Sequence, residues 1–290
     1  MDGEWAKRQL FRAALVVSVL YVVWPVMIMV LEGFSIDLSP LFSGKGVRFV
    51  GGVPYYSGGI YPTLVHYTDA IFIAQLPRFM ANSVVISLAN VAIALLVSIP
   101  AAYLLARIDF KGRNGISFAL LALRTVSPIA IVIPLYLLFN QTGLWDTYWG
   151  MSLAYLSLDI PVIVWLMKGF FADVPSHVYE AAEISGAAER TVFFRVGLPM
   201  IWQGIVAAAV FSFLIIWNEF IFASLLTGPV TTTAAVGIWA GGGEPGAGAL
   251  KPIDLGELNA SASLALIPAL ALVIAIRRYL AKAFTLGIAR

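Results

Sequence analysis

The segment "EAAEISGAAERTVFFRVGLP", Glu180 to Pro199, separates two long apolar stretches and carries three glutamates and two arginines. The chain around it has 290 residues, of which 60% are hydrophobic and 12% are charged, and its mean hydropathy is +0.90. A soluble domain carries about 25% charged residues, so folding alone cannot shield this much apolar surface from water. The sequence therefore predicts an integral membrane protein in which Glu180 to Pro199 lies in water between two spans.

Apolar runs of about 20 residues are long enough to cross a bilayer as helices. The first run is longer than the 7–15 apolar residues of a signal peptide, and no small-residue cleavage site follows it, so we expect it to be retained. The predicted fold is all-α: one polytopic membrane domain over residues 1–290, with a pair of helices at 174–197 between the fourth and fifth spans. The predicted spans cover residues 10–33, 79–106, 116–140, 148–168, 198–226 and 258–279.

The distribution of Lys and Arg predicts the orientation. With six spans and the N-terminus inside, 13 of the 18 Lys and Arg residues lie in inner segments and only four in outer segments. Because cytoplasmic segments carry the excess of positive charge, both termini and the polar segment 174–197 are predicted to face the cytoplasm. The protein is then expected in the plasma or inner membrane, surrounded by lipid.

Several function classes are disfavoured by what the sequence lacks. It contains no cysteine and only two histidines, His66 and His177, and its carboxylates are not clustered, so neither a metal site nor a catalytic nucleophile is indicated. A net charge of +2 gives no indication of nucleic-acid binding. The Walker A pattern that cradles ATP phosphates is also missing. We therefore expect no catalytic residue, metal or cofactor in this chain.

Fixed spacings within the polar segment carry a resemblance. Glu180, Ala181 and Ala182 are followed by Gly186, and the aliphatic Val196 then precedes Leu198 and Pro199. This pattern resembles the EAA motif of ABC importer permeases. The resemblance extends over residues 70–285 and points to the six-span form of the maltose/trehalose-type carbohydrate permeases. It is carried further by "NSVVISLANVAIALLVSIPAAYLLARIDFKGR" (82–113), "IPLYLLFNQTGLWDTYWG" (133–150) and "WNEFIFASLL" (217–226).

The resemblance implies a function for the polar helix pair. In such permeases the pair docks in a cleft of a cytoplasmic ATPase subunit and moves with it. Glu180 would make the polar contact, Ala181 and Ala182 would allow close packing, and Gly186 would form the turn. The same docking segment would include Glu183, Val196, Leu198 and Pro199. The implied partners are a second related permease, two ATPase subunits that bind ATP and Mg²⁺, and an extracellular or periplasmic sugar-binding protein.

Two groups of polar residues are candidates for the substrate pathway. Arg124 and Asp159 lie within spans, each about 12 Å from the inner end at about 1.5 Å per residue, so they either pair with each other or line the pathway. Trp217, Asn218 and Glu219 lie near the outer end of the fifth span. They would either contact sugar or anchor the helix at the interface.

The outer segment between the fifth and sixth spans is rich in glycine. In the family, the corresponding loop can contact the sugar-binding protein, and a flexible tether is the alternative. The residues in question are Gly241, Gly242, Gly243, Gly246 and Gly248.

Other functions stay open at this point. An ABC permease for another solute, such as glycerol phosphate or a polyamine, fits the same motif. A self-sufficient carrier or channel often has repeated halves, and no such repeat is visible. A membrane-embedded enzyme would need the reactive cluster that this sequence does not contain. The sequence does not specify which sugar would be carried.

Overall fold

The computed structural model describes residues 2–34, 47–50, 53–56, 64–240 and 255–288. Most of these residues are helical, and the predicted helical membrane fold is confirmed. The strands described form one antiparallel hairpin, which the sequence analysis did not predict. In chain order the elements are α1 (Asp2–Gly33), β1 (Val47–Val50), β2 (Val53–Tyr56), α2 (Val65–Phe72), α3 (Leu76–Arg107), α4 (Arg113–Leu123), α5 (Pro128–Thr142), α6 (Tyr148–Ala172), α7 (Ser176–Ile184), α8 (Glu189–Val192), a π-helical turn (Phe193–Gly197), α9 (Leu198–Met200), α10 (Trp202–Trp217), α11 (Ile221–Leu226), α12 (Ala234–Trp239) and α13 (Leu255–Ile288).

Within the described ranges, four helices are individually long and apolar enough to cross a membrane: Lys7–Gly33, Leu76–Arg107, Tyr148–Ala172 and Leu255–Ile276. They coincide with the first, second, fourth and sixth predicted spans. The third predicted span is a bent pair of helices instead, with an angle of 87° between its two parts. A second bent pair, Glu189–Met200 with Trp202–Trp217 at 72°, begins nine residues before the fifth predicted span. The total is six spans if each bent pair counts as one.

The third predicted span is broken between α4 and α5. Arg124 ends α4, and Pro128 begins α5 after an extended Ser127 with φ −59° and ψ 132°. Proline has no amide hydrogen and disfavours the helical conformation of the residue before it, and the extended Ser127 is where the helix is interrupted. The expectation of a single helix over 116–140 is corrected accordingly.

The fifth predicted span, 198–226, comprises three helices. The backbone leaves the helical region at Ile201, with φ −99° and ψ 13°, shortly after a π-helical turn and Pro199. Proline and π-helical turns are the usual causes of sharp helix bends. The long helix α10 then ends at Trp217, and a new short helix begins at Ile221.

The described residues form two compact units. The first contains residues 2–34, 47–50, 53–56, 64–77, 237–240 and 255–267. Inside it, the end of α1 lies very close to its neighbours: a Cβ added to Gly33 would lie 2.8 Å from the Tyr67 hydroxyl and 3.1 Å from Cα of Ala260. Only glycine permits this approach. The Asn259 amide also donates a hydrogen bond to the Glu32 carboxylate.

The second unit contains residues 78–236 and 268–288 and carries most of the buried core. In it, α10 packs along α6 and α11 packs on α5. Two apolar clusters result. One consists of Ile86, Val132, Phe139, Met151, Ala154, Tyr155, Leu158, Ile216, Phe222, Ala223, Leu226 and Val236. The other consists of Ala102, Tyr103, Leu105, Ile163, Val164, Met167, Phe171, Tyr179, Val192, Ile201 and Ala208. The second cluster supports the polar segment that follows α6.

Candidate functional site

The polar segment folds as two short helices, α7 and α8, joined by a turn at Gly186. Gly186 has φ +78°, a left-handed conformation that glycine adopts without a steric penalty. Its amide donates to the Glu183 carbonyl at 2.9 Å, and the Ala187 amide donates to the Ala182 carbonyl at 3.1 Å. These bonds satisfy carbonyls at the end of α7, which is the usual arrangement of a glycine helix stop.

One side of this segment packs into the protein's own core. Tyr179 and Val192 are fully buried in the second cluster. Ala182, Val196 and Leu198, which sequence analysis assigned to ATPase docking, are only partly exposed and pack against that cluster. Their positions suit them to hold the segment in place, and they do not form its outward surface.

The opposite side of α7 faces outwards. His177, Glu180, Ala181 and Ile184 are all exposed, and their spacing of three and four residues places them on one face of the helix. Ile184 is 88% exposed, the highest value among the large apolar side chains of the described residues. Sequence analysis identified Glu180 and Ala181 and missed His177 and Ile184. Counting three and four residues from Glu180 along the helix would have found both. We call these four residues the outward face of α7.

The C-terminal end of α3 contacts both helices of the segment. The Arg107 guanidinium lies over the Tyr179 ring, 3.9 Å from its centre, and its Nη2 lies 3.1 Å from Oε1 of Glu183. The Tyr103 hydroxyl donates to Oε1 of Glu189. Burial raises the pKa of Tyr179, and the charge of Arg107 partly opposes that shift. Glu183, which sequence analysis assigned to docking, is therefore engaged within the chain.

Pro199 and Gly186, the other two predicted docking residues, are exposed. Gly186 forms the turn described above, so its backbone conformation is the property that the segment needs. Pro199 lies in α9, beyond the π-helical turn, and precedes the bend at Ile201. Gly186 therefore shapes the middle of the segment, and Pro199 lies just beyond its end.

Asp159 is fully buried, but its hydrogen-bond partners are not the ones expected. Its Oδ2 accepts hydrogen bonds from Nδ2 of Asn90 at 2.7 Å and from the Ser212 hydroxyl. Arg124 instead directs Nη1 to the Leu158 carbonyl at 3.5 Å. Arg124 therefore contacts the backbone of the residue before Asp159, and the two side chains do not form the expected ion pair. The depth comparison placed both residues at a similar height, but height alone does not specify the direction in which each side chain leaves its helix.

The three residues at the end of α10 have different environments. Trp217 is buried, with 6% exposure, and Asn218 is exposed. The Glu219 carboxylate accepts hydrogen bonds from the Phe222 amide, at 3.0 and 3.1 Å, and from the Ala223 amide at 3.3 Å. It therefore satisfies the free amides at the start of α11, as an N-terminal cap does. Asn218 is the one of the three whose side chain is on the surface.

Asp146 binds the backbone of a distant loop, and sequence analysis did not identify it. It has φ +55°, and its carboxylate accepts bonds from the amides of Gly228 (2.8 Å), Val230 (3.0 Å) and Thr231 (2.9 Å) and from the Thr231 hydroxyl (2.6 Å). Burial alone would raise its pKa, but these bonds lower the pKa below its ordinary value. No local sequence signal reveals the contact, because the partners lie 82 to 85 residues away.

Gly241, Gly242, Gly243, Gly246 and Gly248, the predicted contact with a binding protein, lie outside the described residues. Within the ranges that are described, no group of three or more His, Asp or Glu residues is arranged to hold a metal ion.

Comparison with known proteins identifies the sequence class of residues 94–286, which match the family described as "Binding-protein-dependent transport system inner membrane component". A probable ABC transporter permease of Sinorhizobium fredii is 32% identical over 226 residues, 78% of this chain and 79% of that protein. The diacetylchitobiose uptake system permease of Streptomyces coelicolor is 30% identical over 77% of this chain and 72% of its own length. The trehalose transport system permease of Mycobacterium tuberculosis is 27% identical over 88% of this chain and 89% of its own length.

A solved structure has the same fold. A chain of a bacterial ABC transporter involved in the import of the acidic polysaccharide alginate superposes with a TM-score of 0.69. The match covers 96% of this chain and 98% of that one, at 17% sequence identity. Nearly the whole length therefore shares one architecture.

Proposed function

Because the chain belongs to the family of binding-protein-dependent transport system inner membrane components, we propose that it is the permease subunit of an ATP-driven carbohydrate importer. Membership of this family accounts for the apolar helices and for a polar segment between two spans. It supports a transport subunit over a self-sufficient carrier or an embedded enzyme. The chain is a transport subunit that lies in the membrane.

Support for carbohydrate as the substrate comes from the relatives. Two permeases that align over more than two thirds of their length are named for diacetylchitobiose and trehalose. Both substrates are built from sugar units. Permeases for glycerol phosphate or polyamines would use the same polar segment 174–197, which we call the coupling segment from here on. The substrate class therefore requires a transport measurement.

The observation that carries the proposal is the outward face of α7. An isoleucine that is 88% exposed beside a small alanine and a glutamate forms a surface with an apolar centre and a polar edge. Such a surface suits a protein cleft, where apolar burial gives affinity and charge gives register. Ala182, Val196 and Leu198 hold this surface in place from behind.

The occupant of this surface is a cytoplasmic ATPase subunit. The chain has no Walker A sequence, so ATP and Mg²⁺ are bound and ATP is hydrolysed by that partner. Two ATPase subunits, a second related permease and an external sugar-binding protein complete the transporter. Closure of the ATPases on ATP moves the coupling segments, and the spans alternate between inward-facing and outward-facing states. Both termini are cytoplasmic, and the loop with Gly241 to Gly248 faces the binding protein.

The test begins with the wild-type complex, purified with its ATPase subunits and second permease and reconstituted in vesicles with the binding protein. Uptake of a labelled di- or oligosaccharide should require both ATP and the binding protein. Uptake of a polyamine or of glycerol phosphate, with none of any sugar, would overturn the carbohydrate assignment.

Two variants test the docking surface: Ile184→Asp and Glu180→Lys. Each should reduce co-purification of the ATPase and reduce uptake by about tenfold or more. Ile184→Asp places an unpaired charge at the centre of an apolar contact, and Glu180→Lys reverses the charge at its polar edge. Asn114→Asp is the matched control, since it adds a charge at an exposed position of α4, outside the segment that carries this face. Normal ATPase binding in both test variants would show that α7 is not the docking surface.

A further inference from the structure

The C-terminal end of α3 is bound to the coupling segment without being continuous with it. Helix α6 leads directly into α7, and α8 leads through the π-helical turn towards α10, so these spans are joined to the segment by the chain itself. Arg107 and Glu183, by contrast, are 76 residues apart in sequence. Tyr103 and Glu189 are 86 residues apart. Any movement that α3 shares with the segment must pass through side chains.

Arg107 makes two different contacts with α7 at once. Its guanidinium carbon lies over the fully buried Tyr179 ring, 3.9 Å from the centre, and its Nη2 lies 3.1 Å from Oε1 of Glu183. Arginine can stack and form an ion pair together because its guanidinium is planar and delocalised, whereas a lysine ammonium is a compact point charge. The Glu183 side chain is 48% exposed, so water screens the ion pair and the buried ring fixes the geometry.

Tyr103 extends the same contact to α8. Its ring packs edge-on against Phe171 and Phe193, with centroid distances of 5.3 and 4.9 Å, and its hydroxyl donates to Glu189. Tyr103 and Arg107 are four residues apart, so they lie on the same face of α3. This face therefore contacts both helices of the coupling segment.

The end of α3 is itself held in a fixed form. The last carbonyls of a helix have no partner within the helix. Arg113 supplies partners: its Nε donates to the Leu105 carbonyl at 2.7 Å, and its Nη2 donates to the Ala106 carbonyl at 2.8 Å. Gly112, with φ +95°, turns the chain so that Arg113 can reach them. An ordered helix end can transmit displacement, whereas a frayed end would absorb it.

We propose that Arg107 is a positioning residue that makes α3 move together with the coupling segment, so that ATPase closure reaches this span. The proposal rests on the proposed transport function and adds to it the route by which one non-adjacent span is driven. Loss of the contact would let the segment move while α3 lags behind. ATP would then be hydrolysed with less sugar transported per molecule.

The first test measures sugar transported per ATP hydrolysed, using the full complex in vesicles with the binding protein. Arg107→Met should lower this ratio by about fivefold, the lower end of typical coupling between sites, with normal ATPase co-purification. Arg107→Lys should retain part of the ratio, because it keeps the charge and loses the stacking geometry. Arg195→Met is the matched control, an exposed arginine of the same segment, and should leave the ratio unchanged. A wild-type ratio in Arg107→Met overturns the proposal.

The second test follows the movement itself and remains informative at low expression. The chain contains no cysteine, so a pair of labels can be attached to one chain that carries both Asp109→Cys and Ser185→Cys. The native Asp109 side chain is 98% exposed. In the otherwise wild-type chain, the distance between the labels should stay constant when ATP is added. With Arg107→Met it should change. A constant distance in both proteins overturns the proposal, whereas wild-type vesicles that hydrolyse ATP and move no carbohydrate contradict only the proposed substrate.

Discussion

The side-chain amide of Asn90 donates a hydrogen bond to the carboxylate of Asp159 across 2.7 Å, and neither residue has any exposed surface. The bond joins α3 to α6, and Ser212 of α10 donates to the same oxygen. One carboxylate thus ties three helices together inside the protein. Because Asp159 is enclosed by its own subunit, the structure favours a stabilising role for it over a place on the surface of a substrate pathway.

We predict that Asn90 and Asp159 are energetically coupled. Asn90→Leu and Asp159→Leu should each destabilise the protein, because each leaves a buried polar group without its partner. The double variant should cost about 1 kcal/mol less than the sum of the two. The measurement is thermal unfolding in detergent of the wild type, both single variants and the double variant.

A second cycle, with Arg124→Met and Asp159→Leu, serves as the comparison. Coupling in this cycle should be smaller than in the Asn90 cycle, because Arg124 bonds to the Leu158 carbonyl and acts on Asp159 as a neighbouring charge without forming an ion pair. A larger coupling in this cycle than in the Asn90 cycle would contradict the assignment of Asn90 as the main partner.

Much of the architecture follows from sequence length and periodicity, and the exceptions have identifiable causes. Apolar length alone located α1, α3, α6 and α13, because a membrane span is set by bilayer thickness. The breaks in the third and fifth spans were missed, since proline is often tolerated in membrane helices and composition alone does not distinguish a kink from a break. Asn90 was missed as the partner of Asp159 because contacts between spans depend on rotation and tilt, which one sequence does not specify.

The coupling segment likewise has some features that the sequence predicts and others that depend on packing. Its turn at Gly186 follows from the need of a left-handed position for glycine. Which alanines face outwards depends on the helical phase, and that phase is set by Tyr179, whose ring is buried beneath Arg107. The spacing of the motif therefore gave the location of the segment and, through Glu180, one residue of its outward face, while the side chains that hold the segment from behind became evident only from its packing on α3.

Asp146 should stabilise the loop at 228–231 in a manner that depends on pH. Its pKa is lowered in the folded protein, so its contribution is complete above about pH 4 and is lost as the pH falls through the folded pKa. At pH 7, Asp146→Asn should lower stability by about 1–2 kcal/mol, because charge-assisted bonds to backbone amides are weakened. Thermal unfolding of the two proteins from pH 7 to pH 3 measures the difference.

The difference between wild type and Asp146→Asn should be constant from pH 7 to pH 5 and should shrink below about pH 4. Asp173→Asn is the control, since Asp173 is exposed and its removal should change stability little at any pH. A difference that grows as the pH falls would mean that the Asp146 carboxylate is not the stabilising form.

Substitution at Gly186 should affect the turn through the backbone and not through collisions. A Cβ at this position would meet no atom within 4 Å, but φ is +78°. Gly186→Val should therefore cost about 1–2 kcal/mol locally, whereas Gly186→Asn should cost less, because asparagine adopts left-handed conformations more readily. Amide hydrogen exchange in α7 and α8, measured alongside uptake, should be slowest in the wild type, faster in Gly186→Asn and fastest in Gly186→Val. Equal exchange in all three would show that the turn is not constrained.

Glu219 should behave as a helix cap. Glu219→Ala removes the acceptors for the amides of Phe222 and Ala223 and should lower stability by about 1 kcal/mol, with the apparent KM for the transported sugar unchanged. Glu219→Gln keeps one acceptor oxygen and should lie between. The neighbouring exposed Asn218 supplies the comparison through Asn218→Ala. A raised KM in Glu219→Gln at normal stability would instead assign Glu219 to the substrate pathway.

Gly204 should be required for the close packing of α10 on α6. A Cβ there would lie 2.5 Å from Cγ of Phe170, the first ring atom, which a rotation of the ring about the Cβ–Cγ bond does not move. Gly204→Ala should therefore destabilise the protein by about 1–3 kcal/mol through overpacking. Gly169 lies within α6 and a Cβ there meets nothing within 4 Å, so Gly169→Ala should be neutral or slightly stabilising, as alanine is the better helix former. Thermal unfolding in detergent measures both variants, and Gly204→Ala combined with Phe170→Ala should recover part of the loss if the ring causes it. Equal stability of the two single variants would show that α6 and α10 can separate freely at this point.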